Sequence, residues 1–195
     1  MEIVKFEKFD SIAKITLNRP EVLNALNEES FKLINNYLKE VEKDENVRAI
    51  ILTGTGRGFC VGIDLKVIRN YLDKGEKFPY KEFLVENFNK LVSNIINLQK
   101  PVIASINGVV AGAGIGIALA CDYKIASNNA RFVEAFINVA LIPDTLTCYL
   151  LLKNIGLART LEYLTLGGEI NAEEALKLGL INKVVPQEKL EEETN

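Results

Sequence analysis

The run Arg48-Ala49-Ile50-Ile51-Leu52-Thr53, followed by Gly54-Thr55-Gly56-Arg57-Gly58-Phe59-Cys60-Val61-Gly62-Ile63-Asp64-Leu65, decides how the chain is read. Ala49–Leu52 is a short continuous apolar stretch of the kind carried by a strand covered on both faces. The glycines that follow permit positive φ and leave backbone N–H groups free to face a ligand, and Asp64 stands where it can cap or enter the next helix. The same succession returns downstream. Pro101–Ile106 is an apolar strand, Asn107-Gly108-Val109-Val110-Ala111-Gly112-Ala113-Gly114-Ile115-Gly116 is a second glycine-rich turn, and a helix of small residues runs from about Gly112 to Ala120. Strand, glycine loop and helix occurring twice predict an α/β architecture of repeated strand-strand-helix units.

The flanking sequence agrees. Ile3–Phe6 and Ile12–Leu17 alternate as strands about a Phe9-Asp10-Ser11 turn, and Asn18-Arg19-Pro20 ends the second. Phe31, Ile34, Leu38 and Val41 stripe one face of a helix over Glu28–Lys43. A second stripe (Leu84, Phe88, Leu91, Val92, Ile95, Ile96) predicts a helix over Lys81–Leu98. Further helices are expected at Thr147–Asn154, Leu157–Leu166 and Ala172–Leu178, with Gly179 as a stop.

Composition narrows the chemistry. The 195 residues contain no histidine, so Ser-His-Asp and Cys-His nucleophile systems, His-ligated zinc and His pH switches are excluded within the chain. Acid–base work falls to Asp, Glu, Lys, Tyr or Cys. A net charge of −3 offers no basic field for nucleic acid. Cys60, Cys121 and Cys148 read as free thiols among apolar neighbours, small core residues in a reducing compartment. No basic region followed by an apolar run opens the chain, and Val109–Cys121 is too short to cross a bilayer, so a cytoplasmic, membrane-free protein is expected. The first glycine loop lacks the Gly-Lys-Ser/Thr of a phosphate-binding loop, and its glycine spacing does not make the dinucleotide fingerprint at the start of a helix, so neither nucleotide reading holds. The free N-terminal amides of the small-residue helix suit an anion, unless the small residues serve only tight packing.

Taken in register, six segments carry a more specific signal: Asn18-Arg19-Pro20 with Asn24-Ala25-Leu26; Gly58–Leu65; Lys100-Pro101-Val102-Ile103-Ala104 with Asn107-Gly108; Ala118–Asp122; Ala130-Arg131-Phe132; and Ala175–Val185. Over Ile15–Pro186 the chain resembles the crotonase (enoyl-CoA hydratase/isomerase) superfamily. The resemblance implies a spiral of strand-strand-helix units and an acyl-CoA thioester substrate, with coenzyme A as part of that substrate and no resident cofactor or metal. It places an oxyanion hole at the Ile63 and Ala113 N–H groups. It assigns the general base to Asp144 in Ala140-Leu141-Ile142-Pro143-Asp144, although an Asp after Pro is also a common turn or cap residue. The two glutamates of a hydratase correspond to Gly116 and Phe136, which cannot move a proton, so double-bond isomerisation is expected over hydration. Hydrolysis or decarboxylation of the thioester, or acyl-CoA binding without turnover, are the alternatives.

For the CoA moiety the resemblance points to Val22, Leu23, Asp64, Leu65 and Lys66; Lys66 or Arg57 could meet phosphates or simply be solvated. Glu134 is a nearby second acid whose strand position suggests a solvated side chain, and Asp122 a structural hydrogen-bonding group. After the acid, relatives often carry Gly-Gly-Thr, where this chain has Thr145-Leu146-Thr147. Relatives continue past Val184-Val185-Pro186 with helices that cover the pocket and help build trimers, so the chain is expected to form a homotrimer or dimer of trimers, with a core domain over residues 1–186 and a short acidic ending at 187–195.

Overall fold

A computed structural model describes residues 2–195. The chain begins with β1 (Val4–Phe9) and β2 (Ile12–Leu17), an antiparallel hairpin closed by Asp10 at φ 50°. Next comes α1 (Glu28–Lys43), which Asn27 starts by accepting the Ser30 N–H at 2.9 Å. The expected stripe Phe31, Ile34, Leu38 and Val41 is the face it buries. Then β3 (Ala49–Gly54) and β4 (Gly58–Cys60) lead to α2 (Leu65–Leu72). The long helix expected at 81–98 is one continuous path of α3 (Tyr80–Phe83), a π turn (Leu84–Asn89) and α4 (Lys90–Asn97).

Two further units repeat the plan. First come β5 (Val102–Ile106), β6 (Val109–Ala111) and α5 (Ala113–Ala120). Next are β7 (Tyr123–Ser127), β8 (Arg131–Glu134) and α6 (Thr147–Leu166); Gly156 at φ 74° kinks α6 where the sequence reading separated two helices. The chain finishes with β9 (Gly168–Asn171), α7 (Ala172–Lys177), β10 (Lys183–Val185) and α8 (Leu190–Thr194).

Among the described residues the strands form two sheets, β1-β2-β3-β5-β7-β10 and β4-β6-β8-β9. In each of three successive units the first strand enters the large sheet and the second the small one, all pairing parallel to the unit before. The strand-strand-helix expectation is therefore met, and what the sequence reading took as pure glycine loops contain β4 and β6. Three-residue strands carry too little periodicity to be read in advance.

Large sheet, small sheet and helices share one core, in which Phe31, Phe59, Phe88 and Phe132 are the bulkiest fully buried side chains. Residues 187–195 turn back against the large sheet, where Leu190 packs with Ile125 and Val185 and Lys14 pairs with Glu191 at 2.6 Å. No helix among the described residues is long and apolar enough to cross a membrane.

The carboxyl end of α1 is held by a charge. Lys100 Nζ donates to the carbonyls of Val41 and Asp44, both at 2.6 Å, adding a half-buried ammonium to the Asp44 and Val47 N–H groups those carbonyls already accept. Replacing Lys100 by Met removes the charged donor from both carbonyls and leaves each its backbone N–H, and urea denaturation is expected to show a loss of about 1.5–3 kcal/mol, the range of a charge-assisted hydrogen bond.

Candidate active site

A cleft of about 370 Å³ opens where the second strands of the units end. Its floor is built by two turns. The first follows β4, where Gly62 at φ 87° bends the chain so that Ile63 forms an isolated parallel bridge with Leu26. Leu26 N donates to Gly62 O at 2.7 Å and Asp64 N donates to Leu26 O at 2.9 Å. Both groups flanking Ile63 thus turn toward Leu26, and by extended-chain alternation the Ile63 N–H turns the other way. The second turn follows β6, where Gly112 at φ 52° starts α5 with Ala113 as its first residue. A Cβ on Gly62 would lie 3.1 Å from Ala113 N, so the two turns touch. Among the described residues neither the Ile63 nor the Ala113 N–H has a protein acceptor.

Asp144 stands at the cleft wall. It is half-buried, and burial pushes its carboxyl above the ordinary 3.8, although the Thr145 hydroxyl, donating to Oδ1 at 2.7 Å, pulls the other way. The loop that carries it is bent by residues that do not favour such bends: Thr145 at φ 55° and Leu146 at φ 59° are left-handed in succession. Space for the loop comes from α5. A Cβ on Gly116 would run into the Thr145 carbonyl oxygen and reach 2.9 Å from Thr147 Oγ1, so the loop occupies the volume a side chain at 116 would need.

The remaining wall is apolar. Phe78, Tyr80, Phe83 and Phe88 line it opposite the turns, with Phe78 edge-on to Tyr80 at 4.7 Å and 5.0 Å from Phe83. In a regular α-helix Phe83 and Phe88, five apart, point in different directions; the π turn between them brings both to the cleft. The sequence reading registered Phe88 only as core and passed over Phe83; their five-residue spacing is the signal that was there to find.

The structure brings Val22, Ile63, Asp64, Leu65, Ala113 and Asp144 to this one cleft. It does not bring Leu23 or Lys66. Leu23 lies in a separate depression with Arg57, and Lys66 is exposed on α2 outside the cleft lining. Asp64 is already engaged: Oδ1 accepts the Lys66 N–H at 3.0 Å as the cap of α2, and Oδ2 accepts from Arg19 Nη2 at 2.6 Å. Burial opposes its charge, but the Arg19 and Lys66 hydrogen bonds prevail and hold the carboxyl below the usual range.

Two expectations are corrected. Glu134 is not solvated but 1% exposed, because it sits on the same face of β8 as Phe132; Oε2 accepts the Ile137 N–H at 3.2 Å and Oε1 has no partner among the described residues. Cys148 is not a core residue but exposed at the start of α6, whereas Cys60 and Cys121 are buried and their thiols pushed up to about 12. Asp122 accepts the Val102 N–H at 2.8 Å, the structural role expected of it.

The sequence pattern described as Enoyl-CoA hydratase/isomerase matches residues 7–195. The chain belongs to this family. It is 42% identical over 191 residues to the 1,2-epoxyphenylacetyl-CoA isomerase of Escherichia coli (strain K12), an overlap of 97% of this chain and 72% of that protein. It is 37% identical over 186 residues to the trans-2-decenoyl-[acyl-carrier-protein] isomerase of Streptococcus mutans, covering 95% and 70%. The crystal structure of an enoyl-CoA hydratase from Bacillus anthracis superposes with a TM-score of 0.92 at 32% identity, over 99% of this chain and 74% of that one. The architecture is therefore the crotonase fold, and the chain is an acyl-CoA thioester enzyme of that superfamily.

In this crotonase fold the seat of Asp144 depends on what residue 116 lacks. Gly116→Ala is expected to cost about 1–3 kcal/mol by overpacking against the Thr145 carbonyl, read by thermal denaturation. Leu146→Gly, relieving a left-handed leucine whose side chain is largely exposed, is expected instead to gain about 1 kcal/mol by the same measurement.

Proposed function

We propose that the chain isomerises enoyl-CoA double bonds by a one-base mechanism. The observation that carries this reading is that Asp144 is the one carboxylate lining the cleft whose oxygens are not committed to an arginine and a helix cap. Held in part away from water, with its pKa raised, it suits proton abstraction better than an ordinary surface aspartate. It removes a proton from the acyl chain beside the thioester-conjugated system, and the electron pair moves onto the thioester oxygen. The dienolate oxygen accepts from the Ile63 and Ala113 N–H groups, each able to contribute about 2.7–4 kcal/mol to a developing oxyanion. The protonated Asp144 then returns the proton two carbons along, and the double bond has moved with no net change in composition.

Relatives and structural neighbours include both isomerases and hydratases. What supports isomerisation here is the fate of the two hydratase positions: Gly116 is filled against by the Thr145 backbone and Phe136 is a buried aromatic in the cleft wall, so neither can activate water. The reading extends to assembly. Ile142 (85% exposed) and Leu166 (78%), with Tyr149, Leu157 and Leu161, leave an apolar surface along the Asp144 loop and α6. Its exposure supports assembly that would cover it between copies, as a homotrimer or a dimer of trimers. The free thiols agree with a reducing, cytoplasmic setting.

Incubation with 3-enoyl-CoA and 2-enoyl-CoA thioesters is expected to interconvert the two; 3-hydroxyacyl-CoA as product would instead mark hydration, and free CoA hydrolysis. Asp144→Asn is expected to abolish proton exchange at the α and γ carbons, measured by deuterium uptake, while acyl-CoA binding persists. The base works ionised, so kcat/KM is expected to rise with pH through a limb displaced above 3.8. Because folding raises the Asp144 pKa, the native chain holds that proton more tightly than the unfolded one, and stability falls as pH climbs from 3.8 through the folded value. Asp144→Asn is therefore expected to raise the melting temperature at neutral pH more than at acid pH.

A further inference from the structure

We propose that the buried Arg19–Asp64 ion pair is a positioning device for the oxyanion hole: it locks the loop after β2 to the Gly62–Asp64 turn and so aims the Ile63 N–H. This rests on the oxyanion reading above and adds to it two residues that touch no reacting atom.

The pair joins segments 45 residues apart, Arg19 Nη2 to Asp64 Oδ2 at 2.6 Å, with side chains only 14% and 7% exposed. Each partner uses its remaining hydrogen-bonding capacity to fix the backbone beside Ile63. Arg19 Nη1 donates to Ala25 O at 2.7 Å, and Arg19 N donates to Asn24 Oδ1 at 2.8 Å. Asn24, buried with φ 60°, in turn donates from Nδ2 to Thr55 O at 2.9 Å and Gly58 O at 2.7 Å, the start of β4. From the other side Asp64 caps α2 through Lys66 N and pairs its own N–H with Leu26 O.

Leu26 is thereby clamped one residue beyond the Arg19-bound Ala25, and it is Leu26 that holds Gly62 O and Asp64 N, the groups on either side of Ile63. A guanidinium makes this possible because it presents separate donors in a rigid fork; a lysine ammonium carries no such fork. The ionised pair also explains why Asp64, at the cleft wall, is not a second base: its charge is neutralised and both oxygens are engaged.

The test uses acetoacetyl-CoA, whose enolate absorbs in the near ultraviolet, titrated spectrophotometrically against pH when bound and when free. The wild type is expected to form enolate at lower pH than the free thioester, since two N–H groups donate to its charged oxygen. Arg19→Gln and Asp64→Asn are each expected to move that midpoint back up by about one pH unit, a tenfold loss of oxyanion stabilisation, while binding of saturated butanoyl-CoA changes far less. The double variant is expected to move it no further than either single one, because the two act as one unit. Arg19→Lys, which keeps the charge and is the milder change for folding, is expected to fall between.

Folded Arg19 and Asp64 variants that keep the wild-type midpoint would overturn the positioning role and leave the oxyanion hole standing. A wild-type midpoint equal to that of free acetoacetyl-CoA would remove the oxyanion hole itself, and the positioning role with it. Asp144→Asn is expected to keep a depressed midpoint while losing turnover, which separates the aiming of the amide from the identity of the base.

Discussion

Helix α5 is buried on every side, and its glycines set how closely the rest of the chain can approach it. A Cβ at Gly114 would collide with the Cys60 carbonyl at the end of β4, and one at Gly116 with the Thr145 carbonyl. These two contacts lie on different sides of one helix and bring in the two structures the chemistry needs. The first draws the Gly62 turn against Ala113, so that two backbone N–H groups from separate units meet; the second seats the loop of Asp144 over the helix. An α-helix that is apolar all round has no solvent face of its own and must be enclosed by other elements. Here the units built on β4, β6 and β8 enclose it, and its amino end is left facing the cleft.

Electrostatics follow from that placement. Helix dipoles favour negative charge at the amino end and positive charge at the carboxyl end. At the carboxyl end of α5 the buried Lys124 donates from Nζ to Cys121 O at 3.3 Å, and burial depresses its pKa. At the amino end no side chain among the described residues caps the helix, which leaves the Ala113 N–H free for the proposed oxyanion. The contrast with α2 is instructive. There Asp64 accepts the first-turn N–H and is balanced by Arg19, so that helix end is closed to ligands while its neighbour stays open. Charge close to the cleft is thus either paired, as in Asp64, or left partly desolvated, as in Asp144, the proposed base.

How much of this was legible in the sequence varies with the physical signal. The hairpin, α1, β3, β5 and the sense of the repeat were readable because apolar periodicity extends over five or more residues. The strands β4, β6, β9 and β10 were not, since three or four residues hold no period and the small sheet is specified by tertiary packing. The cleft-lining positions Ile63, Ala113 and Asp144 came from motif register. Arg19 was missed as an ion-pair partner, although Asn18-Arg19-Pro20 had been singled out, because nothing local links it to a residue 45 positions on. Glu134 was misjudged because an acidic residue in a strand is usually outward-facing; alternation with Phe132 would have placed it inward. Leu23 and Lys66 sit beside true cleft residues in sequence, but one step in an extended loop or a helix turns a side chain to another surface.

Half of the left-handed non-glycine residues among the described residues fall in one short stretch. Ala140, Thr145 and Leu146 adopt left-handed φ, Asp144 loses water, and Thr147 Oγ1 is buried without a partner, all within eight residues beside the cleft. Conformations of this kind cost of order 1–3 kcal/mol each and persist only where their surroundings over-determine them. The surroundings here are α5, whose Gly116 leaves room for one loop path, and the first turn of α6, whose Thr147 N–H is fixed to Asp144 O at 2.8 Å. Held at both ends, the loop backbone cannot swing Asp144 away from the cleft without breaking that bond or vacating the space over Gly116. The strain is thus the counterpart of the carboxylate's position. A loop free to adopt ordinary backbone angles would also be free to hydrate Asp144, and a hydrated aspartate at its ordinary pKa would be a poor match for the proposed step, a proton on a carbon acid, even with the proposed oxyanion hole to acidify it.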